Sequence, residues 1–257
     1  EALKQGLEME ANLGQNPYRL GVIGSTDSHT ALSSAEEDNF HGKLATDSIP
    51  ANKTSNFNDD GPGSSGWAMS ASGMAAVWAE SNTRSDIMDA LERREVYATT
   101  GPRIAVQFYG GPDFTEADLE NADLHTLATA RGVPMGGELH QTETPTFLVL
   151  ATKDPEGANL DRIQMVKGWL DADGQSQEKI FNLAWSDERP LKSNGSLPDV
   201  GNTVNLKTGK VDNRIGAAQL AAAWADPQFD PDQSAFYYVR VPQIPTARHS
   251  LLDAIAL

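Results

Sequence analysis

The chain lacks cysteine altogether, contains no long hydrophobic run and has few basic residues for its 257-residue length. Without cysteine it forms no disulfides, thiolate metal sites, iron–sulfur clusters or cysteine nucleophiles. No apolar run approaches the roughly 20 residues needed to cross a bilayer, so we expect no membrane insertion. The 20 lysines and arginines are outnumbered by 36 aspartates and glutamates, and the net charge of −16 argues against a nucleic-acid partner.

The first residues, Glu1-Ala2-Leu3-Lys4, are already typical of a helix, with no signal peptide and no initiator methionine. We therefore expect a piece of a longer protein that begins within a domain. The absence of cysteine fits a bacterial export compartment, which favours a periplasmic or secreted location over a cytoplasmic one.

The character of the chain changes near Thr100. Before this point, helical spacing over residues 3–11 predicts a helix that ends at Gly14, and an apolar strand is predicted over residues 20–23. This helix–strand unit is typical of an α/β fold. The polar segment 33–72 is too long for an ordinary connection, and we expect it to be a lid or binding loop beside a site rather than a linker.

A capping box at Thr83 and Asp86 predicts a second helix, after which the signals become those of short strands. A short helix is expected near the end, over residues 217–224. We expect two domains: an α/β domain over residues 1–100 and an all-β, sandwich-like domain over residues 101–257. The predicted strands of the second domain include alternating residues 104–108, then 146–152, 162–170, 179–185 and 236–241.

The stretch Gly21-Val22-Ile23-Gly24-Ser25-Thr26-Asp27-Ser28-His29-Thr30 is the strongest candidate for chemistry. An apolar run ends in small polar residues and then offers a carboxylate and an imidazole two positions apart. If the backbone stays extended, Asp27 and His29 project to the same side and can bind one cation. The alternative is that Asp27 caps a turn and His29 is a solvated loop residue.

Two ligands make a weak site by themselves. Catalytic zinc usually takes three protein ligands, and binuclear centres need more. The sequence has no His-x-His and no second ligand cluster, while His125, His140 and His249 have no ligand-like neighbours along the chain. Taken alone, this chain cannot complete the centre that Asp27 and His29 suggest.

The segment Ile23-Gly24-Ser25-Thr26-Asp27-Ser28-His29-Thr30 resembles the last metal-binding motif of the polymerase-and-histidinol-phosphatase (PHP) type of metallohydrolase. More narrowly, several blocks resemble a bacterial PHP-like family catalogued as a domain of unknown function, and together they cover nearly the whole chain. The blocks are Ala35-Glu36-Glu37-Asp38-Asn39-Phe40, Val77-Trp78-Ala79-Glu80-Ser81-Asn82-Thr83-Arg84, Glu95-Val96-Tyr97-Ala98-Thr99-Thr100-Gly101-Pro102-Arg103-Ile104 and Phe236-Tyr237-Tyr238-Val239-Arg240-Val241.

This resemblance implies the C-terminal part of a distorted, TIM-like α/β barrel followed by a β-sandwich. It assigns Asp27 and His29 as ligands of a divalent centre of two or three ions, either zinc, manganese or iron. The other ligands, including a His-x-His, would precede Glu1 in a missing N-terminal part, so we expect the isolated fragment to be inactive. The ions would activate a water that cleaves a small-molecule phosphoester, carbamate or other ester.

Residues Arg84, Tyr97, Thr99 and Arg103 are candidates for substrate binding at the rim of this site, although Arg84 and Arg103 are equally explained by structural roles. A different class of function stays open: a non-catalytic binding or structural module that uses its β domain. A further alternative is half of a nicked enzyme whose other chain supplies the remaining ligands.

Overall fold

The computed structural model describes residues 1–44, 48–49, 51, 66–67, 69, 73–140 and 143–257. These residues contain four α-helices, nine strands and two short 3-10 helices, Glu37–Asn39 and Glu116–Glu120. The α-helices are α1 (Ala2–Leu13), α2 (Arg84–Glu92), α3 (Leu124–Arg131) and α4 (His249–Ala256). The strands are β1 (Met74–Val77), β2 (Val96–Thr99), β3 (Ala105–Gly111), β4 (Val133–Pro134), β5 (Thr146–Thr152), β6 (Arg162–Leu170), β7 (Ser176–Trp185), β8 (Gln219–Ala225) and β9 (Ala235–Arg240).

Two antiparallel sheets form the main body of the structure. One has the order β4-β3-β5-β8 and the other the order β7-β6-β9. Their facing side chains form a shared core in which Val149, Ala151 and Ile163 are fully buried. Aromatic rings also meet across the two sheets, with centroids 4.6 Å apart for Phe147 and Tyr237. Alternation of side chains along each strand places one face of each sheet in this core.

Helices cover the outer faces of both sheets. On the four-stranded sheet, Leu148 and Tyr109 pack with Leu124 and Ala128 of α3 in a second buried cluster. On the three-stranded sheet, α1 packs against β6 and β7. The helix expected in the first domain therefore rests on strands expected in the second.

The two-stranded sheet β1-β2 is attached to the beginning of β3 by two aromatic side chains. The Trp78 indole donates a hydrogen bond from Nε1 to the carbonyl of Val106 at 2.8 Å. The Tyr97 hydroxyl donates to the carbonyl of Ile104 at 3.0 Å and accepts from the Val106 amide at 3.2 Å. These bonds connect the region of the Asp-x-His motif to the main body.

The expected α/β, TIM-like barrel is wrong. Among the described residues every strand pairing is antiparallel, the sheets are small and none closes into a barrel. The predicted strand over residues 20–23 joins no sheet, and Leu20, Val22 and Ile23 are each more than half exposed. A parallel barrel strand is buried on both faces by neighbouring strands and helices. This segment lies against β1 and β2 through its glycines and leaves its large apolar side chains exposed.

The helix predicted over residues 217–224 is also wrong, because this segment forms strand β8 along β5. Other local predictions are confirmed. Helix α1 ends at Gly14 in the left-handed conformation, and the Thr83 side chain accepts the Asp86 amide at the start of α2. Most of the second half of the predicted loop 33–72 lies outside the described residues. Within the described part, no helix has the length and apolarity to span a membrane.

Candidate metal-binding turn

The segment Ser25–Thr30, referred to below as the Asp27–His29 turn, lies directly against the start of β1. The Gly24 amide donates to the carbonyl of Met74 at 3.2 Å. Two glycines permit this contact: a Cβ on Gly24 would lie 2.6 Å from that carbonyl oxygen, and one on Gly73 would lie 2.0 Å from the carbonyl oxygen of Ser25. The small residues around the motif therefore let two backbones approach closely.

The backbone is not extended at Asp27, where φ is 56° and the conformation is left-handed. Aspartate tolerates this conformation better than most residues because its short polar side chain can bond locally. The Asp27 amide donates to the Ser25 hydroxyl at 3.2 Å, and the Asp27 side chain is 69% exposed. The premise of a continuous extended backbone is therefore wrong at this residue, and the chain folds back on itself.

The fold-back gives His29 a defined orientation. Its Nδ1 lies 2.9 Å from the carbonyl oxygen of Asp27, so this nitrogen carries the proton and donates. In the neutral ring the lone pair is then on Nε2. Metal-binding histidines are held in this way in many proteins, with one ring nitrogen bonded to a carbonyl and the other directed at the ion. The ring of His29 and the carboxylate of Asp27 are both exposed.

Lys43 contacts the turn from the neighbouring segment. Its ammonium donates to the carbonyl of Thr26 at 2.7 Å and lies 3.5 Å from Oδ2 of Asp27, with the side chain only 16% exposed. Its backbone carbonyl accepts the amide of His29 at 2.8 Å. Sequence reasoning missed this residue because nothing in the local pattern links it to a motif so far upstream.

Two of the expected rim residues lie beside the turn or its neighbours. Thr99 pairs with Met74, and its carbonyl oxygen would lie 2.8 Å from a Cβ on Gly24. Arg103 is exposed and its Nη2 lies 2.9 Å from Oε1 of Glu36. The Arg103 amide donates to Oδ2 of Asp154 at 2.7 Å, which fixes the backbone of the residue.

The other two expected rim residues are placed differently. The Tyr97 hydroxyl is engaged by backbone groups at the start of β3, and burial raises the pKa of this half-buried phenol. Arg84 is the first residue of α2 and is exposed. Tyr97 thus connects the β1-β2 sheet to the start of β3. Among the residues that the structure describes, no three His, Asp or Glu side chains form a possible metal cluster.

A small open pocket lies at the other end of the β1-β2 ladder and was not foreseen. It is lined by residues that include Trp78, Glu95, Tyr109 and His125. The Tyr109 hydroxyl lies 3.2 Å from Nδ1 of His125. Burial, followed by the nearby carboxylates of Glu95 and Asp123, raises the pKa of Tyr109 to about 12. Because the lining comes from five separate segments, no local sequence pattern marks this pocket.

A family model described as "Protein of unknown function (DUF3604)" matches residues 1–257. The chain belongs to the DUF3604 family. This confirms the expectation of a family catalogued as a domain of unknown function, to which the whole chain is similar. No curated protein and no solved structure matches the chain. For this DUF3604 chain, the geometry of the turn is therefore the observation that bears most directly on chemistry.

Proposed function

We propose that this DUF3604 chain carries part of the centre of a divalent-metal hydrolase, with Asp27 and His29 as two ligands. The observation that carries the proposal is the bond from Nδ1 of His29 to the carbonyl of Asp27, which leaves Nε2 available for coordination. The turn presents this nitrogen and the Asp27 carboxylate at the surface, beside the ends of β1 and β2. The resemblance of Ile23–Thr30 to the PHP motif supports the same assignment.

When bound, zinc, manganese or iron supplies a hydroxide at neutral pH by lowering the pKa of a coordinated water from 15.7 towards ~7. The residues of the chain bind and orient. Asp27 contributes an ionised carboxylate and His29 a neutral ring, so protons compete with the cation and binding weakens in acid. In this proposal Thr99 and the exposed Arg103 contact a small phosphoester, carbamate or other ester.

Further polypeptide supplies the remaining ligands in this proposal. Two protein donors fall short of the three that catalytic zinc commonly takes, and a centre of two or three ions needs more. The segment leading into the turn supports an additional packing partner, since Leu20, Val22 and Ile23 are 54%, 59% and 53% exposed. Contiguous exposed apolar residues of this kind mark surfaces that another segment covers. This chain alone is then a weak metal binder without turnover.

The test measures the metal content of the complete polypeptide by mass spectrometry after purification with zinc or manganese. We expect near-stoichiometric metal in the unchanged protein and a loss of at least about tenfold in affinity for Asp27→Ala and His29→Ala. His140→Ala, another exposed histidine, is the matched control and should keep its metal. Hydrolysis of p-nitrophenyl phosphate and of an aryl carbamate is measured alongside.

Unchanged metal content in both Asp27→Ala and His29→Ala would remove the proposal. A complete polypeptide that binds no metal would favour the other class of function, a non-catalytic binding or structural module.

A further inference from the structure

Lys43 contacts the Asp27–His29 turn at three points: before Asp27, at Asp27 itself and after it. The ammonium reaches the carbonyl of Thr26 at 2.7 Å and Oδ2 of Asp27 at 3.5 Å, and the Lys43 carbonyl accepts the His29 amide at 2.8 Å. The first of these is the strongest, because a charged donor on a carbonyl at 2.7 Å is a charge-assisted bond. The ion pair contributes little, since the Asp27 carboxylate is mostly exposed.

These contacts determine the backbone of the turn. The Thr26 carbonyl and the Asp27 amide belong to one rigid peptide plane, and the orientation of that plane sets φ at Asp27. The bond to the His29 amide holds the chain on the other side. Between the two lies the Asp27 carbonyl, the group to which Nδ1 of His29 donates. A left-handed aspartate persists only where its surroundings hold it, and Lys43 supplies two of those contacts.

The segment that precedes Lys43 has partners in helix α4. Oε2 of Glu37 accepts the backbone amide of His249 at 2.7 Å, and the Phe40 ring lies 4.2 Å from the buried ring of His249. These contacts join residues 37–40, just before Lys43, to the start of helix α4.

We propose that Lys43 is a positioning residue for the Asp-x-His pair, which holds Asp27 left-handed and thereby keeps His29 in the tautomer protonated on Nδ1. The effect on the tautomer is a property of this chain and requires no metal. The consequence for metal binding rests on the proposed function. The two parts are measured separately.

The test compares two variants. Lys43→Met keeps the length of the side chain but removes the hydrogen-bond donors and the charge, whereas Lys43→Arg keeps the donors and the charge. The matched control is Lys153→Met, because Lys153 also holds a loop through three carbonyls, at 2.8, 3.1 and 3.1 Å, far from the turn along the chain. Long-range ¹H–¹⁵N spectra of the full chain without added metal report the tautomer of each histidine ring. Loss of a signal in His29→Gln assigns the ring of interest.

We expect His29 protonated on Nδ1 in the unchanged chain and in Lys153→Met, a shift towards the Nε2–H form in Lys43→Met, and recovery in Lys43→Arg. With zinc chloride as the probe, we expect binding about tenfold weaker in Lys43→Met. An unchanged His29 tautomer in Lys43→Met would overturn the inference, and so would tighter zinc binding, which would show that charge repulsion outweighs positioning. A chain whose tautomer depends on Lys43 but which binds no zinc supports Lys43 and counts against the metal site.

Discussion

The paired sheets and the Asp27–His29 turn differ in which side chains they bury and which they expose. Between the sheets, apolar residues such as Ile163 are fully buried, and buried charges have partners. At the turn, the ligand-type side chains of Asp27 and His29 are exposed, and so is Ile23 just before them. The difference teaches that stability is concentrated in one region and the candidate chemistry in another.

The clearest example of the first region is a buried charge cluster between the sheets. Nζ of Lys167 lies 2.6 Å from Oδ2 of Asp226 and donates to the carbonyl of Gln228 at 2.6 Å. Both charged residues are almost completely buried. The Tyr237 hydroxyl donates to the same carboxylate oxygen at 2.7 Å. Burial, together with the Asp226 carboxylate, raises the pKa of this phenol well above its usual range.

The largest effect is expected when this cluster loses its cation. Lys167→Met leaves the buried Asp226 carboxylate without its counter-ion, which typically costs about 3–5 kcal/mol. Lys179→Met is the control, since this exposed lysine donates to the side chain of the same Gln228 at 2.8 Å and should cost below about 1 kcal/mol. Urea unfolding followed by circular dichroism measures both. Equal losses of unfolding free energy for the two variants would contradict a special role for the buried lysine.

A pair of isoleucines compares the two regions with the same chemical change. Ile163→Ala removes a fully buried side chain from the core between the sheets and should lower the free energy of unfolding by about 2–5 kcal/mol. Ile23 is 53% exposed, so Ile23→Ala should change it by less than about 0.5 kcal/mol. Denaturant midpoints give both values. A loss above 2 kcal/mol at Ile23 would show that this segment is packed in solution.

The smallest effect concerns Asp154, which accepts the amides of Arg103 at 2.7 Å and Glu156 at 3.1 Å. Burial by itself raises the pKa of this carboxyl. The two amides and the charges of Arg103 and Lys153 lower the pKa by a larger amount, so the net shift is downward. Asp154→Asn should therefore cost about 1.5 kcal/mol at pH 7, the lower end for bonds to a charged group.

The sign of the pH dependence follows from that lowered pKa. The contribution of Asp154 to stability is complete above the unfolded-state value of about 3.9 and is lost as the pH falls through the lower folded-state value. The difference between the unchanged chain and Asp154→Asn should narrow between pH 5 and pH 3. Unfolding curves at pH 7, 5 and 3 test this, and a constant difference would argue against a role for the charge.

Local elements of the fold were predictable where the signal lies in adjacent residues. Gly14 and Thr83 mark helix ends by their own conformation and side chain, and the alternating strands after Gly101 are as expected. Strand β8 was not, because its alanine-rich sequence favours a helix, while pairing with β5 places Ala222 opposite Val149 and buries it. The barrel failed for a similar reason, since an apolar run does not reveal which neighbours cover it.

The residues of the candidate site were predictable from the sequence, but their geometry was not. The spacing of Asp27 and His29 identified them as candidate ligands, and both side chains are exposed in the structure. The left-handed Asp27, the tautomer of His29 and the role of Lys43 depend on hydrogen bonds between separate segments. Sequence spacing carries no information on such bonds.

Helix α1 has a consequence for the order in which the protein assembles. It rests on β6 and β7, which are synthesised far later than the helix itself. During synthesis from the N-terminus, α1 has no surface to dock on until both strands have emerged and paired. The Asp27–His29 turn that follows α1 contacts Lys43 and the start of β1, so these partners of the turn emerge well before those of the helix.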